Sequence, residues 1–293
     1  MKILITGGGG FQGSHLVESL LKNGHSVSVL NTYSEQAKRN LASVLKEINL
    51  IWGSVTDKEL VEKSVRGHDV VLHLAARVNV DESRKDPMAF IYANIIGTYN
   101  ILEAARKENA RLIFASTCEV YGDGHVFASG EGLKENAELR PNSPYAASKA
   151  AADRMCHAYF KTYDVNVTIV RPFNVYGERQ KSGTFGALIP ILVAKALKGE
   201  NLTIFGDGTA TRDYSHVSDI VDGYNLILEN NSDVLRGEVV NLASGKEIKI
   251  CDIAKFIANI CELNDFNGHY VEPYAGGASV ALYLLFEGYV SKI

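Results

Sequence analysis

Lys2-Ile-Leu-Ile-Thr6-Gly7-Gly8-Gly9-Gly10-Phe11-Gln12-Gly13 runs a short apolar strand straight into a glycine-rich turn. Leu16, Val17, Leu20 and Leu21 then recur at helical spacing until Asn23-Gly24, a helix stop. Glycines at 8, 10 and 13 satisfy GxGxxG. Small residues there permit a tight turn, a close approach of backbone to a pyrophosphate, and packing of helix on strand. A merely flexible glycine turn would not require a strand before it and a helix after it. The opening therefore reads as a dinucleotide site.

Apolar runs over 26–30, 50–53, 70–74, 112–115 and 166–170 alternate with helical patterns, which predicts a parallel, doubly wound α/β sheet of Rossmann type. Residues 1–173 form the dinucleotide-binding domain, and 174–238 a smaller substrate lobe that includes a helix over 185–198 and a strand over 202–205. The strand 239–242 and the helix 250–260 return to the main sheet, and 264–293 is an atypical tail. Residues 122–144 read as a loop. A helix from Pro87 to Lys107 carries Ile91, Ile95, Thr98, Leu102 and Ala105 on one stripe, with Phe90, Ile96 and Tyr99 off it. The surplus apolar face predicts a homodimer paired through helices 88–107 and 145–163. His73, inside an apolar strand, reads as a core histidine bonded to backbone rather than a catalytic one.

The 293 residues are 46% hydrophobic, enough for one large domain or two modest ones. Thirty basic against thirty-four acidic residues give a net charge of −4 and no electrostatic case for nucleic acid. The four cysteines (118, 156, 251, 261) lack metal-ligand spacing, so no metal is expected, and free thiols fit a reducing cytoplasm. No run approaches the ~18 apolar residues of a membrane span.

Chemistry concentrates in Ser116-Thr117-Cys118-Glu119-Val120-Tyr121-Gly122, past the end of a buried strand, and in Tyr145-Ala-Ala-Ser-Lys149, early in a helix after Pro141 and Pro144. Spacing of four puts Tyr145 and Lys149 on one helix face. A phenol titrates near ~10, too high for a neutral-pH base, and a nearby ammonium favours its ionised form.

These two motifs, with TGxxGxxG at 6–13, Arg171-Pro-Phe-Asn174-Val-Tyr-Gly177 and Arg212-Asp-Tyr-Ser-His216-Val217, resemble the extended short-chain dehydrogenase/reductase family of nucleotide-sugar epimerases, dehydratases and decarboxylases. The resemblance runs from residue 1 to about 263. It implies NAD, with NADP less favoured, held by Gly7, Gly10, Phe11, Gln12, Gly13, Asn31, Ser54, Val55, Leu74, Ala75, Ala76, Asn94, Tyr145, Lys149 and Pro172. It further implies a nucleoside-diphosphate sugar as substrate, its diphosphate touched by Asn174 and clamped by Arg212. Asn31 stands where the family usually has a ribose-binding Asp, and Ser54 replaces another Asp. By the same resemblance Thr117, Tyr145 and Lys149 act at the sugar 4-hydroxyl. Glu119 points to C5 deprotonation, hence a 4,6-dehydratase, with 4-epimerase or uronate decarboxylase as alternatives. Cys118 either donates a proton or fills space. The last stretch, Glu272-Pro-Tyr-Ala-Gly276-Gly277 within 269–286, resembles the S-adenosylmethionine motif of DNA adenine N6-methyltransferases, as a fragment or fusion. An inactive dinucleotide-binding fusion is the rival of a different class.

Overall fold

Parallel strands must be covered on both faces, and here the apolar runs are: Ile3, Leu4, Ile5, Leu112, Ile113 and Phe114 are all fully buried. The computed structural model describes residues 1–122, 132–182, 186–204, 206–230 and 233–263. Its strands in chain order are β1 (Lys2–Thr6), β2 (Ser26–Asn31), β3 (Asn49–Trp52), β4 (Val70–His73), β5 (Arg111–Ala115), β6 (Val167–Pro172), β7 (Asn174–Tyr176), β8 (Thr211–His216), β9 (Val239–Leu242) and β10 (Glu247–Lys249). Seven of them form one sheet in the order β3-β2-β1-β4-β5-β6-β9. Every pairing in it is parallel, as the expected Rossmann-type α/β architecture requires. The chain winds outward from β1 to β3, returns, and winds the other way from β4. The crevice at that reversal, past the carboxyl ends of β1 and β4, is where such sheets take ligands.

Contacts divide the described residues into two units, Met1–Phe173 with Ile220–Leu242, and Asn174–Asp219 with residues 243–263. This differs from the expected boundaries twice. Residues 220–238 join the sheet unit. Within the helix Val217–Glu229, Asn225 bonds Ser19 at 2.8 Å, and the buried Arg111 guanidinium donates to the carbonyls of Ile227 and Leu228. Conversely, the helix expected over 250–260 spans Ile250–Leu263 and does not return to the main sheet. Its Ile253, Ile257 and Ile260 bury against Leu192 and Val193 of helix Leu188–Leu197 in the second unit. Residues 202–204 of the expected strand make no ladder; Leu202 and Ile204 pack against that cluster as side chains. The second unit's sheet is instead β10-β8-β7.

The expected helix over 87–107 is three consecutive segments, Pro87–Phe90, a wider π turn Ile91–Ile96, and Gly97–Glu108. A π turn inserts one residue and rotates what precedes it. Phe90, placed by its spacing off the stripe on a face to be covered by helix pairing, is instead fully buried within the sheet unit, with its ring edge-on to Tyr145 at 6.3 Å. Ile96, the last residue of the π turn, and Tyr99 beyond it are exposed in the single chain.

Candidate active site

The turn after β1 has little room to vary. Gly7 sits at φ +75°, and a Cβ there would lie 2.7 Å from the Ala75 nitrogen, so the turn abuts the Leu74–Ala75 backbone beyond β4. A Cβ at Gly13 would strike the Gly7 carbonyl. Helix Phe11–Lys22 starts at Gly10 with no side-chain cap and no acid in its first turn. Its neighbours in the same unit are capped by Ser34, Asp57, Asn79, Asp86 and Ser143. The N–H groups of Phe11, Gln12 and Gly13 thus face an anion-binding position with the positive end of the helix dipole behind them. That geometry fits the pyrophosphate of a dinucleotide.

Around this turn the structure gathers Asn31, Leu74 and Ala75, with Ala76 next in the chain. The Asn31 carboxamide oxygen accepts from the Gly9 N–H at 3.0 Å, and its nitrogen donates to the Thr32 carbonyl at 2.7 Å. The Ala75 N–H donates to Thr6 Oγ1 at 3.2 Å. Val55 is buried and its carbonyl accepts from Asn100, whereas the Ser54 hydroxyl pairs with Thr56 Oγ1 at 2.8 Å inside its own turn. Asn94 is committed to protein partners. It bonds both backbone groups of Arg77 and, at 2.9 Å, the hydroxyl of Ser148, tying the segment after β4 to helix Pro144–Tyr163. His73 is buried as expected, yet its partners are the hydroxyls of Thr6 and Thr98 rather than backbone. Burial first and the Lys149 charge second lower its pKa to about 3, so the imidazole is neutral.

The second cluster lies past the carboxyl end of β5. Thr117 caps the tight turn Cys118–Tyr121, its hydroxyl accepting from the Glu119 N–H at 3.2 Å. Tyr145 stands in the first turn of helix Pro144–Tyr163, whose start is fixed by Pro144 and by Ser143, which accepts from Ala146 N–H at 3.1 Å. Burial pushes the Tyr145 phenol up; a hydrogen bond with Thr117 opposes that rise, and the charges of Cys118 and Glu119 add to it. Thr117, Cys118, Glu119 and Tyr145 are therefore one electrostatic unit. Lys149 is buried one turn on, and burial lowers its pKa to about 8. Its ammonium donates to the Ala115 carbonyl at 2.6 Å and sits 4.3 Å from the centre of the Phe114 ring. Pro172 is buried at the end of β6.

Ser116, quoted with its motif but given no role from sequence, is buried and its hydroxyl has no hydrogen-bond partner. Among the described residues it is one of the few buried side-chain oxygens left without such a bond. Nothing in the sequence distinguishes it from a core serine.

Asn174 and Arg212 belong to the second unit. Asn174 donates to the Asp213 carbonyl at 3.0 Å, joining β7 to β8, and the exposed Arg212 guanidinium donates to the Thr211 carbonyl. Asp213 is spent on the turn after β9, accepting from Ser244 and Gly245. The stretch 269–286 lies outside the described residues.

Residues 3–243 match the model of the NAD dependent epimerase/dehydratase family. A UDP-N-acetyl-alpha-D-glucosaminuronate decarboxylase of Bacillus cytotoxicus is 37% identical over 257 residues, 87% of this chain and 79% of that protein. UDP-glucuronic acid decarboxylase 1 of Danio rerio is 35% identical over 88% of this chain; the chain spans only 60% of its length. Among solved structures, the dTDP-glucose 4,6-dehydratase of Streptomyces venezuelae with NAD and TYD bound superposes with a TM-score of 0.80. It is 32% identical, over 89% of this chain and 81% of that one.

Proposed function

The chain belongs to the NAD dependent epimerase/dehydratase family, and from that premise we propose that it oxidises a nucleoside-diphosphate hexose at C4 and eliminates water across C5 and C6. The observation that supports the reading is the placement of Glu119 in the tight turn Cys118–Tyr121 past the end of β5, where the Thr117 hydroxyl holds its backbone N–H.

NAD, when bound, accepts hydrogen from the sugar carbon. Tyr145 takes the proton of the 4-hydroxyl, and Thr117 hydrogen-bonds the same oxygen. Burial alone disfavours the phenolate, so the step needs the charges that ligand binding brings beside it. Lys149, anchored at the Ala115 carbonyl, holds the ribose on the nicotinamide side. Phe11, Gln12 and Gly13 hold the pyrophosphate through their backbone N–H groups, with Gly7 and Gly10 keeping the approach clear. Asn31, Ser54 and Val55 border the adenosine, Leu74, Ala75, Ala76 and Pro172 the nicotinamide half, and Asn94 steadies both through Arg77 and Ser148. Asn174 and Arg212 take the substrate diphosphate. Oxidation at C4 acidifies C5–H. Glu119 removes that proton, and either Cys118 or the newly protonated Glu119 gives one to the departing 6-hydroxyl. Return of the hydride to C6 and of a proton to C5 of the resulting 4-keto-5,6-ene would restore the oxidised cofactor and leave loss of water as the only net change. NAD is favoured over NADP only modestly, since Asn31 can bond a ribose hydroxyl but lacks the charge that would repel a 2′-phosphate.

A second reading is favoured by Cys118, which puts no carboxylic acid beside Glu119. On a uronate, C4 oxidation yields a β-keto acid that loses carbon dioxide without a leaving hydroxyl to protonate. A proton at C5 and return of the hydride to C4 would then leave loss of carbon dioxide as the only net change. The names of the two decarboxylase relatives agree with it.

Purified protein incubated with NAD and dTDP-glucose, UDP-glucose or UDP-glucuronate separates the readings by product mass: loss of water, no change, or loss of carbon dioxide. Glu119→Gln keeps the shape and removes the base. It should slow dehydration by ~10²–10⁴-fold and abolish C5 exchange in deuterated water. Conversion of substrate to its C4 epimer at the unmodified rate would instead establish an epimerase.

A further inference from the structure

The chain's single tryptophan, Trp52, ends the edge strand β3 directly opposite Asn31 in register. Tyr33, two residues past Asn31, meets it edge to face with ring centres 5.2 Å apart. Both are unusually open for large aromatics: Tyr33 is 60% exposed and Trp52 38%. The neighbouring geometry says what would cover them. Asn31 is bound to the Gly9 N–H, so the pair borders the end of the glycine turn remote from β4 and from the Tyr145 cluster. Resting on the NAD reading above, we propose that Tyr33 and Trp52 form an aromatic wall on which the adenine of the cofactor stacks.

Asn31 makes such a wall useful. Its carboxamide oxygen accepts from Gly9, and its nitrogen serves the Thr32 carbonyl. What remains for a ribose hydroxyl is less than an aspartate's two charged oxygens would offer. Stacking replaces directional bonds with contact area and is indifferent to a 2′-phosphate, so discrimination between NAD and NADP should be modest. The Tyr33 hydroxyl, bonded to Glu35, fixes that ring over the strand end. In the edge-to-face arrangement one ring's face is covered by the other's edge, which leaves the opposite face open to a purine.

The test uses the full chain and calorimetry with NAD, ADP-ribose and nicotinamide mononucleotide, together with Trp52 emission. Titration with NAD should change the emission, since no other tryptophan contributes. Trp52→Ala should weaken NAD and ADP-ribose by about tenfold, the scale of a lost base–aromatic stack, and leave nicotinamide mononucleotide unaffected. Trp52→Phe, which keeps a ring, should stay within about twofold. Unchanged ADP-ribose affinity in a folded Trp52→Ala, or unchanged emission while calorimetry registers NAD binding, would overturn the wall and leave the cofactor reading standing. Absence of NAD binding to the unmodified chain would overturn both.

Discussion

Lys149 shows what a buried cation costs the protein that keeps it. Burial lowers its pKa from 10.5 to about 8, so at pH 7 the folded chain buries an ammonium that the unfolded chain would hydrate. The unfolded state binds the proton more tightly, and stability therefore rises as pH climbs from about 8 towards 10.5. Lys149→Met should stabilise the cofactor-free protein at pH 7 by up to ~3 kcal/mol, less whatever the Ala115 bond and Phe114 contact contribute. Urea unfolding at pH 7 and pH 10 checks both the gain and its shrinkage at the higher pH; activity should be lost throughout. His73 works on the acid side. Its folded pKa of about 3 lies below the ordinary 6.5, so stability is lost as pH falls through that interval, by ~1.4 kcal/mol per unit. His73→Gln can still bridge Thr6 and Thr98 and should remove that one-proton slope from acid unfolding curves. The sequence made both residues conspicuous, Lys149 by its spacing from Tyr145 and His73 by its apolar strand. It could not reveal their partners, because Ala115, Thr6 and Thr98 are brought to them by other strands and helices.

Strands and helices were legible wherever one period dominated. β1, β2, β4 and β5 are short β-branched or leucine runs, and the structure bounds them within a residue or two of the sequence reading. Legibility failed where apolar character and hydrogen bonding part company. Leu202 and Ile204 alternate like a strand yet find no ladder partner, while polar Thr211–His216 becomes a strand between β7 and β10. Phe90 finds its cover inside its own unit, not in a paired helix, for a related reason: periodicity assumes a uniform helix and the π turn breaks it. The element that matters most to the site is helix Pro144–Tyr163, and its start depends on Ser143 satisfying the Ala146 N–H. Ser143→Ala should cost about 1 kcal/mol of stability. A frayed first turn would misplace Tyr145 before Lys149. Thermal unfolding should register the loss, with turnover falling further than stability explains; turnover unchanged at full folding would show that Pro144 alone fixes the turn.

At the scale of the whole molecule, the surface of the sheet unit carries a feature its own core does not use. Met88, Ile91, Tyr92, Ile96 and Tyr99 are all exposed along the segments 87–108. Helix Pro144–Tyr163 adds Tyr163, packed edge-on against Tyr159 at 5.1 Å and capped by the Arg106 guanidinium. Tyr159 also bonds Glu103 at 2.8 Å, so the two helices present one continuous outer face. Scattered apolar residues need no partner, but a contiguous row with tyrosines is the composition of an interface core. A second copy presenting the same face would cover it about a two-fold axis, which is the arrangement we propose from sequence and exposure together. Sedimentation equilibrium of the unmodified chain should give a dimer. Tyr92→Glu combined with Tyr99→Glu, two turns apart, would set four like charges against each other across the axis and give a monomer with unchanged circular dichroism. NAD affinity should survive in that monomer, because Tyr92 and Tyr99 are exposed whereas Asn94, on the same turn, is buried and bonded to Arg77 and Ser148. A double variant that remains dimeric would move the interface to another face of the protein.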